Sequence, residues 1–155
     1  MNTSLAIEEP FVSSPLPPPS AHRPRRVLLV EDDDDLRRLI AATLRRSGYR
    51  VVEARDGVDV FERLTSSIWS ARPNFFGAIV SDVHMPGFTG FDILAAIRSS
   101  PCDTPVIFIT AFGDVASRAA AGTLGAFAYL EKPVDPADLC RAIARAVGDD
   151  PPGRR

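Results

Sequence analysis

Short apolar runs recur along this chain, and each closes on a polar group at its C-terminal side. VLLV runs into Glu31 and Asp32, AIVS into Asp82, VIFI into Thr110 and FAYLE into Lys132. Runs this short, separated by segments of helical period, predict parallel strands buried on both faces. In an open parallel sheet every carboxyl end opens on one edge, where ligands bind. The pattern therefore gathers three carboxylates, a hydroxyl and an ammonium into one crevice. That set suits a divalent metal and a phosphoryl group.

The rest of the chain supplies the connections. Strands are expected at 27–31, 50–54, 77–81, 105–109 and 126–130. Leu36, Leu39, Ile40, Thr43 and Leu44 repeat at helical spacing and predict a first helix closed by Gly48. Val60, Phe61 and Leu64 mark a second helix, Phe91, Leu94 and Ile97 a third, and Leu139, Ile143 and Val147 a fifth. A fourth, near 114–122, is Ala-rich with a weak stripe. Five βα units of this kind make an α/β, doubly wound, five-stranded parallel sheet with helices on both faces. The connection 65–76, with Trp69, Phe75 and Phe76, reads as a helix extension plus a loop covering a sheet edge.

Outside this unit, taken as 25–148, lie two tails. Residues 1–24 carry Pro10, Pro15, Pro17, Pro18, Pro19 and Pro24, mixed with Ser, a composition expected to exclude regular structure and favour extended polyproline II segments. They read as a disordered extension or a docking segment for another protein. Residues 149–155 read as a ragged end.

Bulk properties narrow the function. At 155 residues the chain fits one domain, and a net charge of −2 gives no electrostatic footprint for nucleic acid. No apolar run approaches the roughly 18 residues of a membrane span, and the N-terminus lacks the pattern of a signal peptide. Arg25 and Arg26 lead straight into a strand, unlike an export signal. Cys102 and Cys140 match no metal or redox spacing; Cys140, on a helical stripe, reads as a small core residue. Both thiols fit a reducing cytoplasm. Of the 18 basic residues, 17 are Arg and one, Lys132, is Lys. Arg and Lys exchange freely on surfaces but not at specific sites, so this position suggests a requirement for an ammonium.

Each strand-end residue also has an ordinary reading. The run Glu31 to Asp35 suits a helix start, but that does not explain why its first two acids fall directly on a strand end. Hard cations such as Mg2+ want oxygen ligands, and two or three carboxylates with a backbone carbonyl provide them. Asp82, in SDVHMPGFTG, could be a loop acid; as a nucleophile, its carboxylate could accept a phosphoryl group as an acyl phosphate. Such a step needs positive charge nearby, which a divalent cation and Lys132 would supply. Thr110 could donate to a phosphoryl oxygen, or simply favour a strand.

With VLLVEDD, SDVHMPGFTG, VIFITA and AYLEKP in this order, the chain resembles a response-regulator receiver domain, the phosphoacceptor module of bacterial two-component signalling. The likeness spans about 26–148 and implies a flavodoxin-like strand order, 2-1-3-4-5. It implies that Glu31, Asp32, Asp82 and the backbone carbonyl of His84 hold Mg2+, and that Asp82 is phosphorylated. Thr110 would follow the phosphate, Lys132 would pair with it, and Tyr129 would be the switch aromatic. The bond before Pro133 would be cis. The implied partners are a sensor histidine kinase or phosphotransfer protein and a downstream protein target, with neither nucleic acid nor membrane. A phosphorylation-dependent dimer would fit the same class. The expected form is a stand-alone cytoplasmic regulator without an output domain, only slowly self-catalytic and not a metabolic enzyme. An aspartyl-phosphate hydrolase would carry a second Asp two residues after the nucleophile, where this chain has His84. A receiver-like module without phosphotransfer would not need the full set of site residues, and a flavodoxin-like electron carrier would need a phosphate loop after the first strand.

Overall fold

The computed structural model describes residues 11–12, 25–68 and 75–149. Six strands and five helices alternate: β1 (Phe11–Val12), β2 (Arg26–Val30), α1 (Asp34–Arg46), β3 (Arg50–Ala54), α2 (Gly57–Ile68), β4 (Ala78–Asp82), α3 (Gly90–Arg98), β5 (Val106–Thr110), α4 (Val115–Thr123), β6 (Ala128–Glu131) and α5 (Pro136–Val147). They form one sheet in the order β1-β6-β5-β4-β2-β3. Strands β2 to β6 are parallel. Counted from β2, their order is the expected 2-1-3-4-5.

Alternation along the strands divides the core. Leu28, Val30, Ile79, Phe108 and Tyr129 face one side, with Val60 and Leu64 of α2 and Leu94 and Ile97 of α3. Val27, Leu29, Val80, Ile107 and Ile109 face the other, with Ile40 and Leu44 of α1 and Leu139, Ile143 and Val147 of α5. Helices thus cover both faces, as a continuous run of apolar strand residues requires. Helix α1 starts at Asp33, whose side chain accepts from the Leu36 N–H, and ends before Gly48 at φ +91°.

Three expectations are corrected. Leu39 and Phe61 do not belong to buried stripes: they are 62% and 71% exposed, and the buried face of α1 comprises the expected Ile40 and Leu44 together with Arg37 and Ala41. Cys140 is only partly buried; it packs at the core margin with its thiol 3.4 Å from the Ser47 hydroxyl. The N-terminal tail is not free of regular structure, because β1 pairs antiparallel with β6. Its other residues, and the stretch 69–74 with Trp69, lie outside the described residues. Within the 65–76 connection, α2 extends to Ile68 as expected. Phe76 enters the core, and the Arg26 guanidinium lies 3.7 Å from the centre of the Phe75 ring.

Candidate functional site

The strand order reverses between β2 and β4, and the polar groups meet at the carboxyl ends of these and the neighbouring strands. Asp82 closes β4 and Thr110 closes β5, while Glu31 and Lys132 are the first residues beyond β2 and β6. Strand pairing therefore fixes their backbones before any ligand arrives.

Lys132 organises the centre. Its ammonium donates to Asp82 Oδ2 at 2.6 Å and to Glu31 Oε2 at 2.9 Å. The remaining oxygens are also held: Asp82 Oδ1 accepts from the His84 backbone N–H at 3.0 Å, and Glu31 Oε1 from the Asp33 N–H at 3.1 Å. Glu31 and Asp82 are buried, whereas Asp32 faces solvent, with carboxylate oxygens of all three within 4.8 Å of one another. Burial pushes the Glu31 carboxyl above the usual carboxylate range; Lys132 and the Asp33 N–H pull it back, and the charge on Asp82 adds to the rise. Burial opposes the charge on Lys132, yet its two carboxylate partners hold the ammonium above its ordinary value.

Three carboxylates against one ammonium leave an excess of two negative charges (3 − 1) in a small space. An all-oxygen donor set with one solvent-facing member suits a hard divalent cation that keeps part of its water. Glu31, Asp32 and Asp82 therefore fit Mg2+. His84 contributes backbone here: its side chain is exposed and meets Phe112 edge to face, with centroids 5.7 Å apart. No side-chain contact with Asp82 suggests general-base work.

Thr110 is fully buried, its hydroxyl oxygen accepting from the Phe112 N–H at 3.2 Å. Its carbonyl accepts from the Lys132 N–H at 2.7 Å, tying the lysine backbone to β5. The Lys132–Pro133 peptide bond is cis. Tyr129 is buried against Phe108, with the Arg118 guanidinium 5.7 Å from its ring centre. Its hydroxyl makes no hydrogen bond of normal geometry among the described residues. Burial raises this phenol above its usual range.

Two further residues shape the site: Arg37, outside the motifs above, and Gly90, which closes SDVHMPGFTG. Buried Arg37 donates to the Glu31 carbonyl oxygen at 2.9 Å and to Asp34 at 2.6 Å, with Glu53 at 3.4 Å. It thereby braces the turn that presents the acids. Gly90 begins α3 against β4, where an added Cβ would lie 2.6 Å from the Asp82 carbonyl oxygen. Beside the site, an apolar groove of about 440 Å³ runs between α1 and the start of α5. Leu36, Leu39 and Val134 line it together with Lys132 and Pro133.

The family model for the response regulator receiver domain matches residues 27–144. Among curated proteins, the acid tolerance regulatory protein ActR of Rhizobium meliloti is 34% identical over 114 residues, covering 72% of this chain and 58% of ActR. The transcriptional regulatory protein FixJ of Bradyrhizobium diazoefficiens is 31% identical over 99 residues, covering 64% of this chain and 48% of FixJ. The chain thus spans about half the length of these relatives. Among solved structures, the chemotaxis protein CheY4 of Vibrio cholerae superposes with a TM-score of 0.68 at 30% identity, covering 78% of this chain and 97% of CheY4.

Proposed function

This chain belongs to the response regulator receiver domain family of two-component systems, and on that premise we propose that Asp82 is its phosphoacceptor. The observation that carries the reading is how Asp82 is held. Its two oxygens are fixed by different groups, the His84 N–H and the Lys132 ammonium, at the reversal point of the sheet. A carboxylate oxygen of Asp82 attacks phosphorus in a phosphohistidine of the donor protein. The new O–P bond replaces the N–P bond, and the imidazole leaves with a proton from solvent. The product is an acyl phosphate.

A divalent cation, Mg2+, held by Glu31, Asp32, Asp82 and the His84 backbone carbonyl would offset the repulsion between carboxylate and incoming phosphoryl group. Lys132 offers a compact ammonium that can follow charge from the carboxylate to a phosphoryl oxygen. Thr110 and Tyr129 are assigned to transmission: a phosphoryl group on Asp82 draws the Thr110 hydroxyl, and Tyr129 repacks against the altered β5. Such a switch shifts a two-state equilibrium between surfaces.

The donor is a histidine kinase or phosphotransfer protein, and the output passes to a protein target, with the domain acting in the cytoplasm as a signal carrier. Its receiver is assigned to 25–148, flanked by a Pro-rich tail and a short C-terminal end. Self-association on phosphorylation is read by sedimentation with and without beryllofluoride. Whether the receiver works alone is read from the denatured mass of the polypeptide made in the cell: the stand-alone reading expects 16.8 kDa, and a longer polypeptide overturns it.

Intact-mass measurement after acetyl phosphate and Mg2+ tests the central assignment. One phosphoryl group should appear on the wild type and none on Asp82→Asn; equal labelling of the variant refutes it. Sustained turnover of small phosphate esters would instead point to a hydrolase.

A further inference from the structure

Strand β6 is the last of the parallel strands, and its outer edge would present unpaired backbone groups beside the buried residues Ala128, Tyr129 and Leu130. An apolar open edge of this kind is a template for any extended segment that reaches it. In this chain β1 occupies it, with Phe11 opposite Tyr129 and Val12 opposite Ala128. We propose that the edge of β6 is an acceptor site for one extended peptide strand, filled by the chain's own Phe11–Val12 as a tethered and displaceable cap.

Three features carry this. The first is direction. Antiparallel pairing sends β1 toward the amino end of β6, the same sheet end at which β2 begins. Four strand spacings separate β1 from β2, about 19 Å at the usual separation. Residues 13–25 can span about 40 Å, so the tether reaches within one chain. Asp82 and Lys132 lie at the opposite, carboxyl end of the sheet.

Second is hydrogen-bond polarity. The Phe127 N–H donates to the Val106 carbonyl on β5 at 2.8 Å. Successive residues of a strand direct their backbone groups to opposite sides, so the Ala128 N–H faces β1. Ala128 is the residue opposite Val12, which makes its amide the one that the cap protects.

Third is length. Pro10 precedes the strand and Pro15 follows it closely, and a residue without an N–H cannot extend a ladder. The ladder is therefore bounded to at most the four residues 11–14, short enough for a longer strand to outcompete. The tether compensates by keeping the segment at high effective concentration. A longer strand from a partner would add more ladder bonds and displace it.

Amide hydrogen exchange on the full chain tests the proposal, which does not depend on phosphorylation of Asp82. In Val12→Pro, and equally after deletion of residues 1–12, the Ala128 amide should exchange about tenfold faster or more. Amides of β2 and β4 should be unchanged, and protection in the wild type should not vary with protein concentration. A synthetic peptide of residues 5–14 added in excess should restore protection to the deleted chain. Unchanged exchange at Ala128, or acceleration shared equally by β2 and β4, overturns the proposal. Wild-type protection that falls on dilution overturns it too, by assigning the edge to a second copy.

Discussion

Lys132 serves two carboxylates with one nitrogen, at 2.6 and 2.9 Å, in a chain that otherwise uses arginine. A guanidinium is planar and spreads its charge over three nitrogens, so it cannot occupy the same point between β2 and β4. Lys132→Arg should fold, yet label poorly at Asp82 with acetyl phosphate or lose the chemical-shift response to beryllofluoride. Wild-type behaviour in both measurements would reduce the single lysine to a compositional accident. Gly90 makes a steric counterpart. Its missing Cβ leaves room for the Asp82 carbonyl at 2.6 Å and the Phe108 ring at 2.9 Å, neither of which yields easily. Gly90→Ala should cost about 1–3 kcal/mol by overpacking, read as a lower denaturant midpoint, and should slow labelling by displacing Asp82. The strand-end residues could be found from sequence because a parallel sheet brings its carboxyl ends together whatever its details. Arg37 could not be found so easily, since an arginine on an amphipathic helix ordinarily reads as solvated. Its spacing to Ala41 and Leu44, both on the buried face, was the available signal.

Helix α1 shows how a correct stripe can still misplace one of its residues. Ile40 and Leu44 are buried and Leu36 packs against them, as their spacing predicts, but the buried face also takes in Arg37 and leaves Leu39 62% exposed. Arg37 is drawn into the buried face by its bond to the Glu31 carbonyl, a contact that periodicity does not encode. Leu39 consequently lines the groove that also contains Lys132 and Pro133. A donor protein delivering a phosphoryl group to Asp82 must cover this neighbourhood, whereas acetyl phosphate need not. Leu39→Asp should therefore leave stability within about 0.5 kcal/mol and acetyl phosphate labelling intact, while slowing transfer from a phosphorylated kinase. Equal loss with both donors would place the defect in the site itself. Helix α4 is the opposite case. Its Ala-rich sequence gives a weak stripe, and of its residues Val115–Thr123 only Ala121 is buried. What starts it is local: the Asp114 side chain accepts from the Ser117 N–H, a bond that holds this carboxyl below its usual range.

At the scale of the molecule, five strands were legible because four carry a continuous apolar run and the edge strand β3, RVVEA, keeps a short apolar core between turns and helices. Strand β1 was not: two residues close to prolines offer no alternation to read, and the pairing depends on an edge more than a hundred residues away in sequence. The sheet also brings together charges that the unfolded chain keeps apart. Three carboxylates lie together and one ammonium pairs with two of them, so a cation that binds only the folded state stabilises it by linkage, by about 2.7 kcal/mol at a hundredfold excess over its dissociation constant. The sign of the pH dependence follows from Glu31, whose carboxyl is raised in the fold, chiefly by burial. A raised carboxyl contributes stability that is complete below its unfolded value and is lost as pH rises through its folded value. Mg2+ requires ionised ligands, so it acts most where that contribution has gone. The rise in Tm on adding millimolar Mg2+ should therefore be larger at about pH 7.5 than at about pH 5, where protons compete for the carboxylates. It should shrink in Asp32→Asn, which keeps the buried pair and removes the solvent-facing ligand. A Tm rise of equal size at both pH values, or undiminished in Asp32→Asn, would mean that the cation binds elsewhere than at these strand ends.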